Sequence, residues 1–261
     1  RDIGCDTLQG YALARPMSPE DCMIQSMEAA SPVKWHLAHT SWFFETFILE
    51  PHAKDHTPFH PEFGYLFNSY YNQIGEMHQR AKRGMLSRPT LDKVLAYRSF
   101  VNEALIRLIE NADDETSAVV EPLVLLGCSH EQQHQELLIT DLQHGLFQNA
   151  LKPAVYSDAR AGEGGNAPML KWREMEGGVC NIGWNGEGFA FDNEQPRHKV
   201  YLHPFELANR PVTNGEYLAF IEDGGYQDPV HWLSDAWEVI NREHWNAPLY
   251  WRKSDADNQW Y

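Results

Sequence analysis

Ser117–Phe147 reads SAVVEPLVLLGCSHEQQHQELLITDLQHGLF, with Val119, Leu123, Leu126, His130, His134 and Leu137 at spacings of three and four. Residues that recur in this way line one face of an α-helix. One long helix of roughly Ser117 to Phe147 is expected, with Pro122 in its first turns or at a kink. Such a stripe needs neighbours to cover it, and the upstream sequence offers them. Thr90 caps a segment that runs through Leu105, Leu108 and Ile109, and a further helix is expected from about Tyr71 to Arg83. Ser31-Pro32 opens a segment dense in Trp, Phe and Leu from Val33 to Leu49. Ser18-Pro19-Glu20-Asp21 offers the same start signal, with a capping serine, a proline at the first helical position and acids in the first turn. The stretch from Glu50 to Asn68 holds Pro51, Pro58 and Pro61 and is expected to be a long connection of the kind that carries function. An antiparallel helical bundle over residues 1–157 follows.

Downstream the pattern changes. Residues 158–170 are rich in Gly, Ala and small polar groups and are expected to be a linker. Beyond them come short strand-like pieces, Phe189-Ala190-Phe191 and the alternating His198-Lys199-Val200-Tyr201-Leu202. One helix is opened by the capping box Thr213-Asn214-Gly215-Glu216 and closed by Gly224-Gly225. Tyr226 to Tyr261 reads as Trp-rich loop. Residues 171–261 are thus expected to be α+β with much irregular structure.

The 261 residues are 43% hydrophobic and 22% charged, in the range of folded globular chains. No apolar run is long enough for a membrane span. A net charge of −16 argues against nucleic acid or an anionic membrane as the main partner, because both require a cationic surface. Cys5, Cys22, Cys128 and Cys180 form no CxxC pair, and the expectation is reduced thiols in a cytoplasm.

His130 and His134 stand at i and i+4, one turn apart on one helix face, where two imidazoles can share an ion. The same string satisfies the HExxH pattern of zinc proteases, with Glu131 as general base. The extended protease pattern asks for Gly and His where this chain has Leu137 and Thr140. A third ligand is available from His36 or His39 on the Val33–Leu49 segment, and spacing does not choose between them. Three neutral imidazoles leave open positions for water, substrate or oxygen, and zinc and iron(II) both accept such a set. The plainer alternative is a group of hydrogen-bonded core histidines.

Three strings closely resemble the ergothioneine-pathway sulfoxide synthases: SPVKWHLAHTSWFFE at Ser31–Glu45, HEQQHQE at His130–Glu136, and RPVTNGEYLAFI at Arg210–Ile221. The resemblance runs from about Met17 to the end of the chain. It implies a DinB-like four-helix bundle (1–157), the linker, and part of a formylglycine-generating-enzyme-like, C-type-lectin-related domain (171–261). The family's second domain extends past the position of Tyr261. The implied activity is oxygen-dependent joining of hercynine to cysteine or γ-glutamylcysteine as a sulfoxide, on non-haem iron(II) held by His39, His130 and His134 near the junction of the domains. His36 becomes only a neighbour. Gln133 would help hold the substrate imidazole, Glu136 would give structural support, and Tyr70 or Tyr71 would supply a proton. Arg80 and Arg83, three apart, would clamp the thiol's carboxylate. Rivals in the superfamily are an ovothiol-type synthase and a selenium-incorporating relative. Outside it stand a zinc-dependent thiol transferase and a non-catalytic metal-binding module. Oligomeric state is not encoded in these strings.

Overall fold

The computed structural model describes residues 18–71, 73–151, 153, 167–254, 256 and 258–260. It divides into two compact units, Arg1–Ser157 and Asp158–Tyr261.

In the first unit α1 (Val33–Phe44) is buried almost all round. It continues through a π-helical turn, Glu45–Leu49, into a last turn, Glu50–His52. The widened turn begins at Glu45, whose buried carboxylate accepts from Tyr97 OH at 2.6 Å, from the Phe59 backbone N–H at 3.0 Å and meets His56 Nε2 at 3.1 Å. These contacts satisfy a carboxylate that burial alone would penalise. After the short helix α2 (Phe63–Phe67) come α3 (Leu91–Asn111) and α4 (Asp114–Phe147). Thr90 Oγ1 accepts from the Lys93 N–H and Asp113 Oδ1 from the Thr116 N–H, so both long helices start on side-chain caps. Pro122 lies inside α4, beyond its first turn. Val94, Tyr97, Val101 and Ala104 form the buried stripe of α3 and meet Trp35, Ala38, Trp42 and Phe43 of α1 in one apolar core. A second cluster joins Val33 to Cys22, Leu138 and Leu142.

Three of the expected long helices are present among the described residues. The predicted helix from Tyr71 to Arg83 does not form. The Asn68 side chain donates to the carbonyls of Tyr71 and Gly75, Tyr70 has φ +60° and Gly75 has φ +131°. Such local side-chain bonds and left-handed residues compete with helix. Regular structure resumes only in a 3₁₀ segment, Arg80–Met85. Ser18 Oγ accepts from the Asp21 N–H as a cap would, yet only the 3₁₀ turn Asp21–Met23 follows. Pro32, not Ser31, is the N-cap of α1. The backbone N–H of Ser31 donates instead to Asp141 Oδ2 at 2.8 Å.

The second unit has two antiparallel pairs. β1 (Trp172–Met175) pairs with β4 (Phe205–Ala208), and β2 (Gly178–Ile182) pairs with β3 (His198–Leu202). Helix α5 (Asn214–Glu222) has the expected reciprocal capping box between Thr213 and Glu216, and Gly224 follows at φ +85°. Phe189–Phe191 is not a strand; it leads into a 3₁₀ turn, Asp192–Glu194, whose Glu194 side chain accepts from the Phe191 N–H. The region expected to be all loop contains α6 (Ser234–Glu243), closed by His244 at φ +54°. Most of the expected linker lies outside the described residues.

Candidate metal centre

Helices α1 and α4 face each other, and the site is built from that pairing. Gly127 brings them close: a Cβ there would overlap the Phe44 ring and lie 3.2 Å from Phe43 Cε1. Three residues beyond Gly127, α4 presents His130 and then His134, while α1 presents His39. One ring nitrogen from each of the three lies within 4.8 Å of the others. His39 is buried, with Trp35 (i−4) at 4.5 Å and Trp42 (i+3) at 5.3 Å, both nearly parallel to its ring. Phe43 stands 4.8 Å from His130. Aromatic residues at helical spacing thus wall the imidazoles into place.

Hydrogen bonds decide which nitrogen is free. His39 Nδ1 donates to the Phe67 carbonyl at 2.6 Å, which leaves Nε2 available. His134 Nδ1 lies 2.9 Å from His36 Nδ1, which again leaves Nε2. His130 Nδ1 is buried with no hydrogen-bond partner. Burial pushes all three imidazoles below the ordinary histidine range: His39 well below, His130 to about 4, and His134 to about 3 with the neighbouring histidines adding to the effect. Neutral imidazoles are the form that binds metal, and an orphaned buried nitrogen fits a missing ligand partner. The residues present fit a divalent transition metal.

Glu131 is buried and its carboxylate pairs with Arg98 Nη2 at 2.8 Å, while Arg98 Nη1 reaches Thr40 Oγ1 at 3.1 Å. The HExxH glutamate is therefore spent on an α4–α3 ion pair, and the protease reading loses its base.

The other expected residues divide. Tyr71 is half-buried among Phe47 (5.1 Å), Trp42 (5.6 Å) and Phe43 (6.5 Å), the last two of which touch the imidazoles. Burial pushes its phenol pKa above 10. Tyr70 is 67% exposed, and its hydroxyl accepts from Arg80 Nη1 at 2.6 Å. Arg80 also donates to the Ala29 carbonyl. Arg83 is 3% exposed, with its guanidinium 3.4 Å above the centre of the Trp35 ring. Its Nη1 and Nη2 donate to the hydroxyls of Ser31 (2.9 Å) and Ser69 (3.0 Å), and its buried Nε has no partner. Burial first, then Arg80, lower its pKa to about 10. The two arginines sit on a 3₁₀ segment rather than the expected α-helix. Gln133 and Glu136 are exposed on α4.

Sequence reasoning set His36 aside and missed Asp141. His36 bonds to His134 through Nδ1 and to Asp141 Oδ2 through Nε2 at 3.1 Å. The signal was readable: Asp141 follows His134 by seven residues, two turns along the same face.

Residues 11–138 match the DinB superfamily, and residues 171–259 match the sulfatase-modifying factor enzyme 1-like domain. The chain is 30% identical over 230 residues to a protein of Mycolicibacterium thermoresistibile named hercynine oxygenase, covering 85% of this chain and 47% of that one. It is 29% identical over 229 residues to the hercynine oxygenase of Mycobacterium tuberculosis, covering 85% and 50%. Over 43 residues it is 58% identical to ergothioneine biosynthesis protein 1 of Schizosaccharomyces pombe, covering 16% and 6%. The chain spans about half the length of the mycobacterial relatives it matches. A DinB region joined to a sulfatase-modifying-factor-type region is the combination the resemblance implied.

Proposed function

We propose that this chain forms the metal-bearing part of an iron(II)- and oxygen-dependent enzyme that joins hercynine to the sulfur of cysteine or γ-glutamylcysteine as a sulfoxide, in ergothioneine biosynthesis. The observation that carries the proposal is the largely buried cluster of His39, His130 and His134, in a chain that aligns over 85% of its length with a hercynine oxygenase. We assign the helical domain to 1–157, the linker to 158–170 and the second domain to 171–261.

Bound iron(II) would supply the oxygen chemistry that no amino-acid side chain provides. The protein's own contribution is positioning and proton supply. His39, His130 and His134 hold the ion, and Trp35, Trp42 and Phe43 keep water from the imidazoles. Tyr71 is favoured over Tyr70 as the proton donor, because its ring packs on the aromatic wall of the centre and its phenol stays protonated. Arg80 and Arg83 are assigned to supply positive charge for the thiol's carboxylate. Gln133 is assigned to the imidazole of hercynine.

Anaerobically purified protein loaded with iron(II) should consume oxygen and form sulfoxide when hercynine and the thiol are both present, read by an oxygen electrode and mass spectrometry. Protein that retains zinc, ignores oxygen and transfers the thiol belongs to the rival class. Sulfoxide formed with histidine in place of hercynine identifies the ovothiol-type relative.

A further inference from the structure

His36 and Asp141 are buried or nearly so, lie on different helices and meet at the back of the metal centre. Asp141 Oδ2 accepts from the Ser31 N–H at 2.8 Å and lies 3.1 Å from His36 Nε2. On its other side, His36 Nδ1 lies 2.9 Å from His134 Nδ1. Two imidazole nitrogens at that distance need one proton between them, and the tautomer of His36 decides which ring carries it.

We infer that Asp141 and His36 are positioning residues that lock His134 in the Nδ1–H tautomer and so aim its Nε2 lone pair at the metal, an inference that rests on the metal-binding reading above. The order of protons follows from the acceptor at the end of the chain. Asp141 Oδ2 already accepts a backbone N–H, so it accepts the His36 Nε2–H as well. A His36 ring with one proton, placed on Nε2, has only a lone pair at Nδ1. That lone pair accepts the Nδ1–H of His134. The single proton of His134 is thereby held away from the site, and Nε2 is bare. Metal-binding histidines generally owe their orientation and tautomer to the partner of their second nitrogen, and loss of that partner typically weakens metal affinity by about 10–100-fold. His39 has its own partner in the Phe67 carbonyl. The relay gives His134 the equivalent from two side chains, and it ties α4 to Ser31, two residues before α1.

The test has two parts. Nitrogen NMR of the ¹⁵N-histidine-labelled, metal-free chain at pH about 8, above the ordinary histidine pKa of about 6.5, should show His134 with its proton on Nδ1. A proton on Nε2 overturns the inference without any variant. Co(II) alone, titrated spectroscopically, should bind His36→Phe about 10–100-fold more weakly than the parent. His36→Asn, which keeps an oxygen acceptor near the position of Nδ1, should recover most of the loss. Parent affinity in folded His36→Phe, or an equal loss in His36→Asn, contradicts the positioning role. A parent chain that binds no Co(II) defeats the proposed function instead, and the tautomer measurement then decides the inference alone.

Discussion

Tyr71 and Tyr70 are adjacent in sequence and unequal in surroundings. Phe in place of Tyr71 keeps the packing on Trp42 and Phe47 but removes the hydroxyl proposed as proton donor, a contribution typically worth on the order of 10²–10⁴-fold in such transfers. Tyr71→Phe should retain iron and oxygen uptake while product shifts from sulfoxide towards the sulfinic acid of the thiol. Mass spectrometry should find Tyr70→Phe closer to the parent; the reverse ranking would contradict the assignment. The buried imidazoles make a second prediction. His130 and His134 titrate near 4 and 3 in the fold, against about 6.5 in an unfolded chain. Between those values the unfolded chain binds more protons, so stability is present above about 6.5 and is lost as pH falls towards 4. The melting temperature of the metal-free protein should drop over that interval, with a smaller drop in His134→Asn. A flat profile would mean these rings are not buried as described. At this scale the histidine pair was legible, because i,i+4 spacing on an apolar face is a local pattern. The partners were not: His36 reaches His134 from 98 residues away and the Phe67 carbonyl reaches His39 from 28, and single-sequence spacing holds no such pairings.

Elements were legible where their signals were local. The caps Thr90, Asp113 and Thr213 fall where α3, α4 and α5 begin, and Thr90 and Thr213 were read from sequence. The helix expected from Tyr71 failed because Asn68 satisfies the backbone of its first turn in another conformation. Helix α6 was overlooked although Trp237 and Ile240 stand three apart behind Ser234-Asp235, a short but readable start. The α1–α4 seam yields a prediction of its own. Gly127→Ala forces a methyl into the Phe44 ring, and overpacking of this kind costs about 1–3 kcal/mol. Denaturant unfolding should show that loss, and unchanged stability would mean the helices are not in contact there. Glu131 tests the same packing from the α3 side. Glu131→Gln leaves Arg98 without its carboxylate, and removing one partner of a buried pair costs about 3 kcal/mol. Metal should still bind, since the carboxylate faces Arg98. Metal loss with full stability would return Glu131 to the site.

On the scale of the whole molecule, the two halves differ in what holds them. The first unit has a continuous aromatic core around α1, whereas the second leaves Trp172, Val179, Tyr201, Leu207 and Leu233 exposed on short elements. The division near residue 157 was foreshadowed by the change from helical periodicity to Gly-rich and alternating sequence, which is a change of composition as much as of structure. No described helix is long and apolar enough to cross a membrane. Among the described residues, one constellation could hold a metal ion: His39, His130 and His134. Its most direct test is the metal content of the chain after anaerobic loading with iron(II), set beside His39→Ala, His130→Ala and His134→Ala. One iron per chain in the parent, and loss of stoichiometric iron in each variant, is the predicted result. Full iron in any one of the three folded variants would contradict it.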